Sequence, residues 1–73
     1  MNKTHVEQTI GDICSEIKRR RLELGLTQRE VANMCGITRE SYNYIEHNRQ
    51  NLTISTFVKI AIALSMNIKL VKR

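Results

Sequence analysis

Two short helical patterns separated by a single glycine occupy residues 27–48, which read TQREVANMCGITRESYNYIEHN. Thr27 and Glu30 have the spacing of a capping box, in which each residue's side chain bonds the other's backbone N–H. Gly36 suits the left-handed position after a helix because it lacks a Cβ. Thr38 suits the N-cap of the next helix. The pattern predicts two helices joined by a tight turn, a motif that often places its second helix in the DNA major groove.

The second of these helices is predicted to have one apolar and one polar face. Ile37, Tyr42 and Ile45 recur at helical spacing and are expected to face a core. The residues predicted to lie on the other side are Arg39, Glu40, Asn43 and Tyr44. Asn48 is predicted to end the helix, because Asn tolerates the left-handed conformation better than most residues.

Length and charge limit the classes of protein that fit. The chain has 73 residues, which predicts one domain over residues 1–73, and its net charge of +5 suits a polyanionic partner. All acidic residues lie at or before Glu46, and aromatic residues make up only 4% of the chain, which argues against a single-strand binder built on stacked aromatics. Because no signal peptide or membrane-length apolar run is seen, a cytoplasmic, nucleoid-associated protein is expected.

No enzyme is expected from the side chains present. The sequence shows no Gly-rich phosphate loop and no paired carboxylates, and His5 and His47 lack metal-ligand spacing, so neither metal nor cofactor is predicted. Cys14 and Cys35 occupy apolar-face positions of predicted helices. We interpret them as reduced core cysteines, with a redox switch as the alternative.

A first helix is predicted from about His5 to Gly25, with Thr4 and Glu7 as a second possible capping box. Its apolar face comprises Ile10, Ile13, Cys14, Ile17 and Leu24. The basic run at 18–21 is interpreted as a solvated helix face, because consecutive residues spread around a helix axis. Contact of most of this run with DNA is the alternative.

A last helix, capped by Thr53 or Ser55, is predicted from an apolar stripe with helical spacing. The stripe comprises Ile54, Phe57, Val58, Ala61 and Leu64. Ile60 and Ile62 lie outside it, so this helix is apolar on more than one face. A second buried surface, most simply a dimer contact, is therefore expected.

The C-terminal tail, about residues 66–73, alternates with a period of two and is predicted to form a β-strand. A lone strand leaves its backbone groups unpaired, so it is expected to pair with its twin in a second copy. Ile68 and Leu70 would then face the protein body and contribute to dimerisation. A frayed tail or an extension of the last helix are the alternatives.

Five segments in register resemble the Cro/repressor-type (XRE) helix-turn-helix family, which includes the lambda and 434 repressors. They are RLELGLTQ at 21–28, EVA at 30–32, GIT at 36–38, YIE at 44–46 and TFVKIAIAL at 56–64. Three positions depart from the family pattern. Asn48 and Ser65 stand where glycine is usual or frequent, and Tyr42 occupies a core position usually filled by Ile or Val.

The resemblance implies roles for individual residues of this chain. Arg21 would pair with Glu46 and lock the first helix to the recognition helix. Base-reading positions would be Thr38, Arg39, Glu40, Asn43 and Tyr44. Positions near the DNA backbone would be Thr27, Gln28, His47, Arg49 and Asn51.

Side-chain chemistry suggests what these positions recognise. Arg39 is expected to take guanine in bidentate fashion, and Asn43 to take adenine. Glu40 either accepts from cytosine or orients Arg39. Tyr44 is expected to pack on a sugar or on a thymine methyl group. His47 either contacts a phosphate or acts as a cation at the helix C-terminus.

The stretch at 51–73 is similar to the end of the antitoxin subunit of Hip-type toxin–antitoxin modules, which dimerise partly through a short C-terminal strand. This resemblance implies an all-α, lambda-repressor-like domain of four or five helices with that strand added. It also implies a homodimeric repressor on a palindromic double-stranded operator, with a possible toxin partner. The alternatives are a restriction–modification controller protein, whose loop resembles residues 46–54, a phage-type repressor, or a protein-interaction module that mainly neutralises a toxin.

Overall fold

The computed structural model of the protein describes residues 4–48 and 52–72. Its four α-helices are α1 (His5–Glu23), α2 (Gln28–Cys35), α3 (Arg39–Glu46) and α4 (Ile54–Ala63). Helix α2 packs against α3 and α4, and α1 packs against α3. The predicted all-α class and the pair of short helices joined by a tight turn are therefore confirmed. Arg49 and Asn51, expected near the DNA backbone, lie outside the described residues.

Every one of these four helices begins at a threonine N-cap. The hydroxyls of Thr4, Thr27, Thr38 and Thr53 each accept a hydrogen bond, 3.1 Å long, from the backbone N–H three residues further on. Each bond satisfies an N–H that has no partner within its helix. At α2 the Glu30 carboxylate also accepts from the Thr27 N–H at 2.9 Å, which completes the predicted capping box. The threonine cap therefore fixes the residue at which each of the four helices begins.

The four helices also end alike, with a left-handed residue just past the last turn. The residues at these positions are Gly25, Gly36, Asn48 and Ser65, with φ between 54° and 69°. The N–H of Ser65 donates to the Ile62 carbonyl and so satisfies one of the last acceptors of α4. Asn48 and Ser65 thus adopt the left-handed conformation in which glycine is the usual residue. This conformation costs more free energy for Asn and Ser than for glycine, because their Cβ atoms crowd the backbone.

One apolar core lies where the helices meet. It contains Ile17, Val31, Ala32, Cys35, Tyr42, Ile45, Ile60 and Leu64. The predicted core positions Tyr42 and Ile45 are fully buried, and Ile37 packs against them from the turn. Ile10 on α1 and Leu24 just after it, however, are exposed, so these two predicted core positions are wrong. Among the described residues, no helix is long and apolar enough to cross a membrane.

The predicted apolar stripe of α4 is partly wrong. Ile54 is 81% exposed and Val58 is 40% exposed, whereas Ile60, which was placed outside the stripe, is completely buried. Helix α4 is apolar on more than one face, so the spacing of its apolar residues does not predict which face is buried. Packing against α2 decides it. The outward face carries Ile54, Val58 and Ile62, spaced one turn apart, which we call the α4 outer stripe.

The tail differs from its prediction as well. Residues 66–72 form neither helix nor strand, which excludes an extension of α4 and leaves the β-strand without support in the single chain. Ile68 is 46% exposed and Leu70 is 96% exposed, so Leu70 does not face the protein body. The physical reason is that a strand needs a partner for its backbone hydrogen bonds, and the described residues of one chain supply none.

Replacing Ser65 by glycine is expected to raise the free energy of unfolding by up to about 1 kcal/mol, because glycine adopts φ near 54° without a Cβ penalty. The matched control is Ser55→Gly in the first turn of α4. There the backbone is right-handed, so glycine should lower stability by roughly 0.5 kcal/mol. Urea unfolding followed by circular dichroism measures both. Equal effects of the two substitutions would contradict the strain assigned to Ser65.

Candidate nucleic-acid interface

Helix α3 presents its polar residues on the surface opposite the core. Thr38, Arg39, Glu40 and Tyr44 are exposed, and Asn43 is half-buried. Tyr42 and Ile45 are buried on the core side of α3, and Glu46, one turn after Asn43, is buried as well. The five positions expected to read bases therefore lie together on one side of the molecule, with Asn43 nearest the protein body.

The start of α2 lies beside the middle of α3. The Gln28 side-chain nitrogen donates to Asn43 Oδ1 at 2.9 Å and lies 3.1 Å from Glu46 Oε1. Thr27 at the N-cap is exposed and next to this contact. Two positions expected near the DNA backbone thus lie beside Asn43, at the edge of the polar side of α3. The free N–H groups at this helix start favour an anion such as phosphate.

Arg21 and Glu46 form a bidentate ion pair in the protein interior. Arg21 Nε donates to Glu46 Oε2 at 2.7 Å, and a second guanidinium nitrogen donates to Oε1 at 3.2 Å. The side chains are 10% and 0% exposed, respectively. A further Arg21 nitrogen donates to the Leu26 carbonyl at 2.9 Å, in the α1–α2 connection. One guanidinium thus ties α1 to α3 and to the turn between α1 and α2.

The Glu46 carboxylate remains ionised in this site. Burial alone would raise its pKa, but the hydrogen bonds from Arg21 and Gln28 and the positive charge of Arg21 outweigh that effect and lower the pKa below its usual value. The hydrogen bond to Glu46 likewise raises the pKa of Arg21. Both partners are therefore charged near neutral pH, and each compensates the other's loss of hydration.

Tyr42 brings a hydroxyl into the core beside this ion pair. Within the described part of the chain, its oxygen is buried and has no partner at hydrogen-bond geometry. Burial, aided by the nearby Glu46 carboxylate, raises the pKa of Tyr42 far above its usual range, so the hydroxyl stays neutral. The departure from the family's Ile or Val thus places a neutral polar group next to the pair.

Two polar contacts further define the surface of α3. An Arg39 guanidinium nitrogen lies 3.4 Å from Gln28 Oε1, whereas none of the hydrogen bonds found among the described residues joins Arg39 to Glu40. Gln28, rather than Glu40, therefore contacts Arg39 in the free protein. His47 Nδ1 lies 2.8 Å from the Asn43 carbonyl oxygen, so the ring donates from this nitrogen and leaves Nε2 for other contacts.

The arginines of the basic run serve different structural contacts. Arg19 bonds Glu16 and Glu23 on the exposed face of α1. Arg20 Nε donates to the Leu64 carbonyl at 3.0 Å and so caps the last turn of α4. The predicted solvated helix face is therefore correct for Arg19 but wrong for Arg21, which is buried, and Arg20 is only half exposed. These contacts within the protein do not favour DNA contact by most of the run. The Arg20 contact had no local sequence signal, because its two ends are far apart in the chain.

Both cysteines are buried and free. Burial raises the pKa of Cys14 and of Cys35, which disfavours the reactive thiolate. Cys14 Sγ lies 3.9 Å from Asn48 Oδ1, a weak contact that links α1 to the end of α3. The described residues contain no cluster of three His, Cys, Asp or Glu side chains that could hold a metal ion.

Residues 17–70 match the HTH_3 family, described as helix-turn-helix. No curated protein and no solved structure matches the chain. The match covers most of the 73 residues and includes all of α2, α3 and α4. The chain therefore belongs to the Cro/repressor-type (XRE) helix-turn-helix family and is a DNA-binding regulator, with double-stranded DNA as its partner.

Arg21→Ala is expected to lower the free energy of unfolding by about 3–5 kcal/mol, because it leaves the buried Glu46 carboxylate without its compensating charge. Arg19→Ala is the matched control on the same helix. Its ion pairs are exposed, so little change is expected. Thermal and urea unfolding compare the two variants. A wild-type melting temperature for Arg21→Ala would show that the pair does not hold the helices together.

Proposed function

We propose that the protein is a sequence-specific repressor that binds a palindromic operator as a homodimer. The observation that carries this proposal is the surface of α3, where Arg39, Asn43 and their neighbours are presented together by a helix of a DNA-binding family. Long or amide side chains at these positions suit hydrogen bonding to base edges in the major groove. Repression is favoured because so small a domain most easily acts by occluding the promoter.

Residues next to α3 would contact DNA phosphates, which positions the protein on the duplex but does not distinguish one base sequence from another. Thr27 and Gln28, at the start of α2, would approach a phosphate, and His47 would approach another through Nε2. Arg49 and Asn51, which precede α4 in the sequence, are proposed as further phosphate contacts. Backbone contacts of this kind fix the register of the recognition helix on the duplex.

A dimer would bury apolar side chains that the single chain leaves exposed. They are Ile54, Val58 and Ile62 of the α4 outer stripe, and Ile68, Leu70 and Val71 of the tail. We propose that the tail pairs antiparallel with its twin across a two-fold axis, which would satisfy the backbone groups of both strands. The same axis implies two half-sites roughly 34–36 Å apart, or a multiple of that.

The proposed biological setting is a toxin–antitoxin operon in the cytoplasm, where the dimer would repress its own promoter and bind a toxin. This rests on the resemblance of residues 51–73 to Hip-type antitoxins. A restriction–modification controller or a phage-type repressor would use the same DNA-binding surface. The exposed apolar side chains also allow a different class, a module that mainly neutralises a toxin. The neighbouring gene, whether toxin, restriction enzyme or prophage, distinguishes these settings.

Arg39→Ala is expected to cost roughly 1–3 kcal/mol of specific binding and to relax discrimination at one base pair in each half-site. Arg49→Ala serves as the comparison, because loss of a phosphate contact should weaken all sequences alike and flatten the salt dependence. Titrations of selected and random duplexes at several salt concentrations separate the two roles. Equal weakening of both duplexes by both substitutions would contradict base reading by Arg39.

Deleting the residues after Asn67 is expected to shift the protein towards monomer, because it removes Ile68 and Leu70 together with the proposed strand. Operator affinity should then fall steeply, since two half-sites are no longer bound by one linked unit. Removing only Lys72 and Arg73 is the control, because it takes away charge but keeps the apolar side chains. Sedimentation measures the oligomeric state. If the truncated chain still dimerised with unchanged affinity, the strand proposal would be wrong and the α4 outer stripe would be the interface.

A further inference from the structure

An apolar groove lies between α1, α4 and the tail. Its larger cavity, about 280 Å³ in volume, is bounded by α1, by Phe57 of α4 and by residues 66–70. A second cavity of about 220 Å³ continues the groove along α1, and both are lined by Ile13, Ile17 and Phe57. A cavity of roughly 150 Å³ with a similar lining holds a benzene ring, so the groove has room for a leucine side chain.

The chain's own tail forms one wall of this groove but does not fill it. Leu70 and Val71 are 96% and 75% exposed, respectively, so most of their apolar surface is in water. Because residues 66–70 already serve as the wall, a side chain that fills the groove has to come from another molecule.

Two carboxylates stand at the mouth of the groove. Asp12 and Glu16, one turn apart on α1, line it and are exposed. Glu16 also pairs with Arg19 on the surface of α1 at 2.6 Å. In the described part of the chain, no ion pair involves Asp12, and none joins either carboxylate to Lys69 of the tail. The groove therefore combines an apolar floor with an acidic edge.

The tail has the complementary chemistry. Leu70 exposes an apolar side chain, Lys69 before it is an exposed cation, and no acidic residue follows Glu46. Successive side chains of an extended chain point to opposite sides. With Leu70 on the floor of such a groove, Lys69 would therefore lie at its mouth, where its flexible stem lets the ammonium group reach a carboxylate.

We propose that the groove is the binding site for the tail of a second copy of this chain. The partner's Leu70 would fill the larger cavity, and the partner's Lys69 would pair with Asp12 and Glu16. A two-fold axis makes the exchange reciprocal, so each tail would lie between the other copy's α1 and the other copy's tail. The two tails are then side by side and antiparallel. The inference rests on the proposed homodimer and deepens it, because it makes α1 part of the interface.

Charge reversal on each side of the contact tests the inference in the full-length chain. Asp12→Lys and Lys69→Glu should each weaken self-association by roughly tenfold at low salt, because two attractive contacts per dimer become repulsive. Glu40→Lys, the same reversal on the polar side of α3, should leave self-association unchanged. Sedimentation equilibrium measures the dissociation constant of each variant and of the wild type.

Mixing the two weakened variants distinguishes an exchanged tail from a tail that binds its own chain. In a heterodimer of Asp12→Lys with Lys69→Glu, each groove meets a tail of opposite charge. Native mass spectrometry with one variant isotope-labelled should therefore show heterodimers in excess over both homodimers. A statistical mixture, or wild-type self-association of either variant, would overturn the inference while leaving the homodimer intact. If the wild-type chain were monomeric at every concentration, the proposed homodimer would fail and the inference with it.

Discussion

The ion pair between Arg21 and Glu46 is the interaction on which the rest of the structure depends. It joins α1 to α3, and the Arg21 contact with the Leu26 carbonyl fixes the turn before α2. Each buried charge would be costly alone, so neither helix can move away without exposing an uncompensated partner. Glu46 also accepts from Gln28, which in turn donates to Asn43 on α3. A single carboxylate therefore connects the stability of the fold with the orientation of side chains on α3.

Local signals made the helix boundaries readable from the sequence. Thr27, Thr38 and Thr53 initiate helices as expected, because a threonine hydroxyl satisfies a free N–H whatever the tertiary context. The side of α4 that is buried could not be predicted in this way. Ile54 and Ile60 are equally apolar, and only the position of α2 decides that Ile60 turns inward. The tail has a clear period of two, but the described residues of the chain offer no neighbouring strand with which it could pair.

The sequence predicted that Arg39, Glu40, Asn43 and Tyr44 lie away from the core side of α3, but it did not predict their hydrogen bonds. The cap spacing placed Arg39 and Asn43 on α3 and Gln28 at the start of α2. Their hydrogen bonds depend on contacts between residues distant in the chain, such as that from Gln28 to Glu46. The basic run shows the same limit. Its composition suggests DNA contact, yet Arg20 and Arg21 bond to groups of α4 and α3 that lie far along the chain.

A double-mutant cycle on the unfolding free energy tests most directly whether the ion pair acts as a unit. The cycle uses Arg21→Met, Glu46→Met and the double variant, each of which keeps a long apolar side chain in the site. If the two charges compensate each other, the double variant should be more stable than the sum of the single losses implies, with a coupling energy above about 1 kcal/mol. Strictly additive losses would contradict the account, because they would show that the helices are held by contacts independent of this pair.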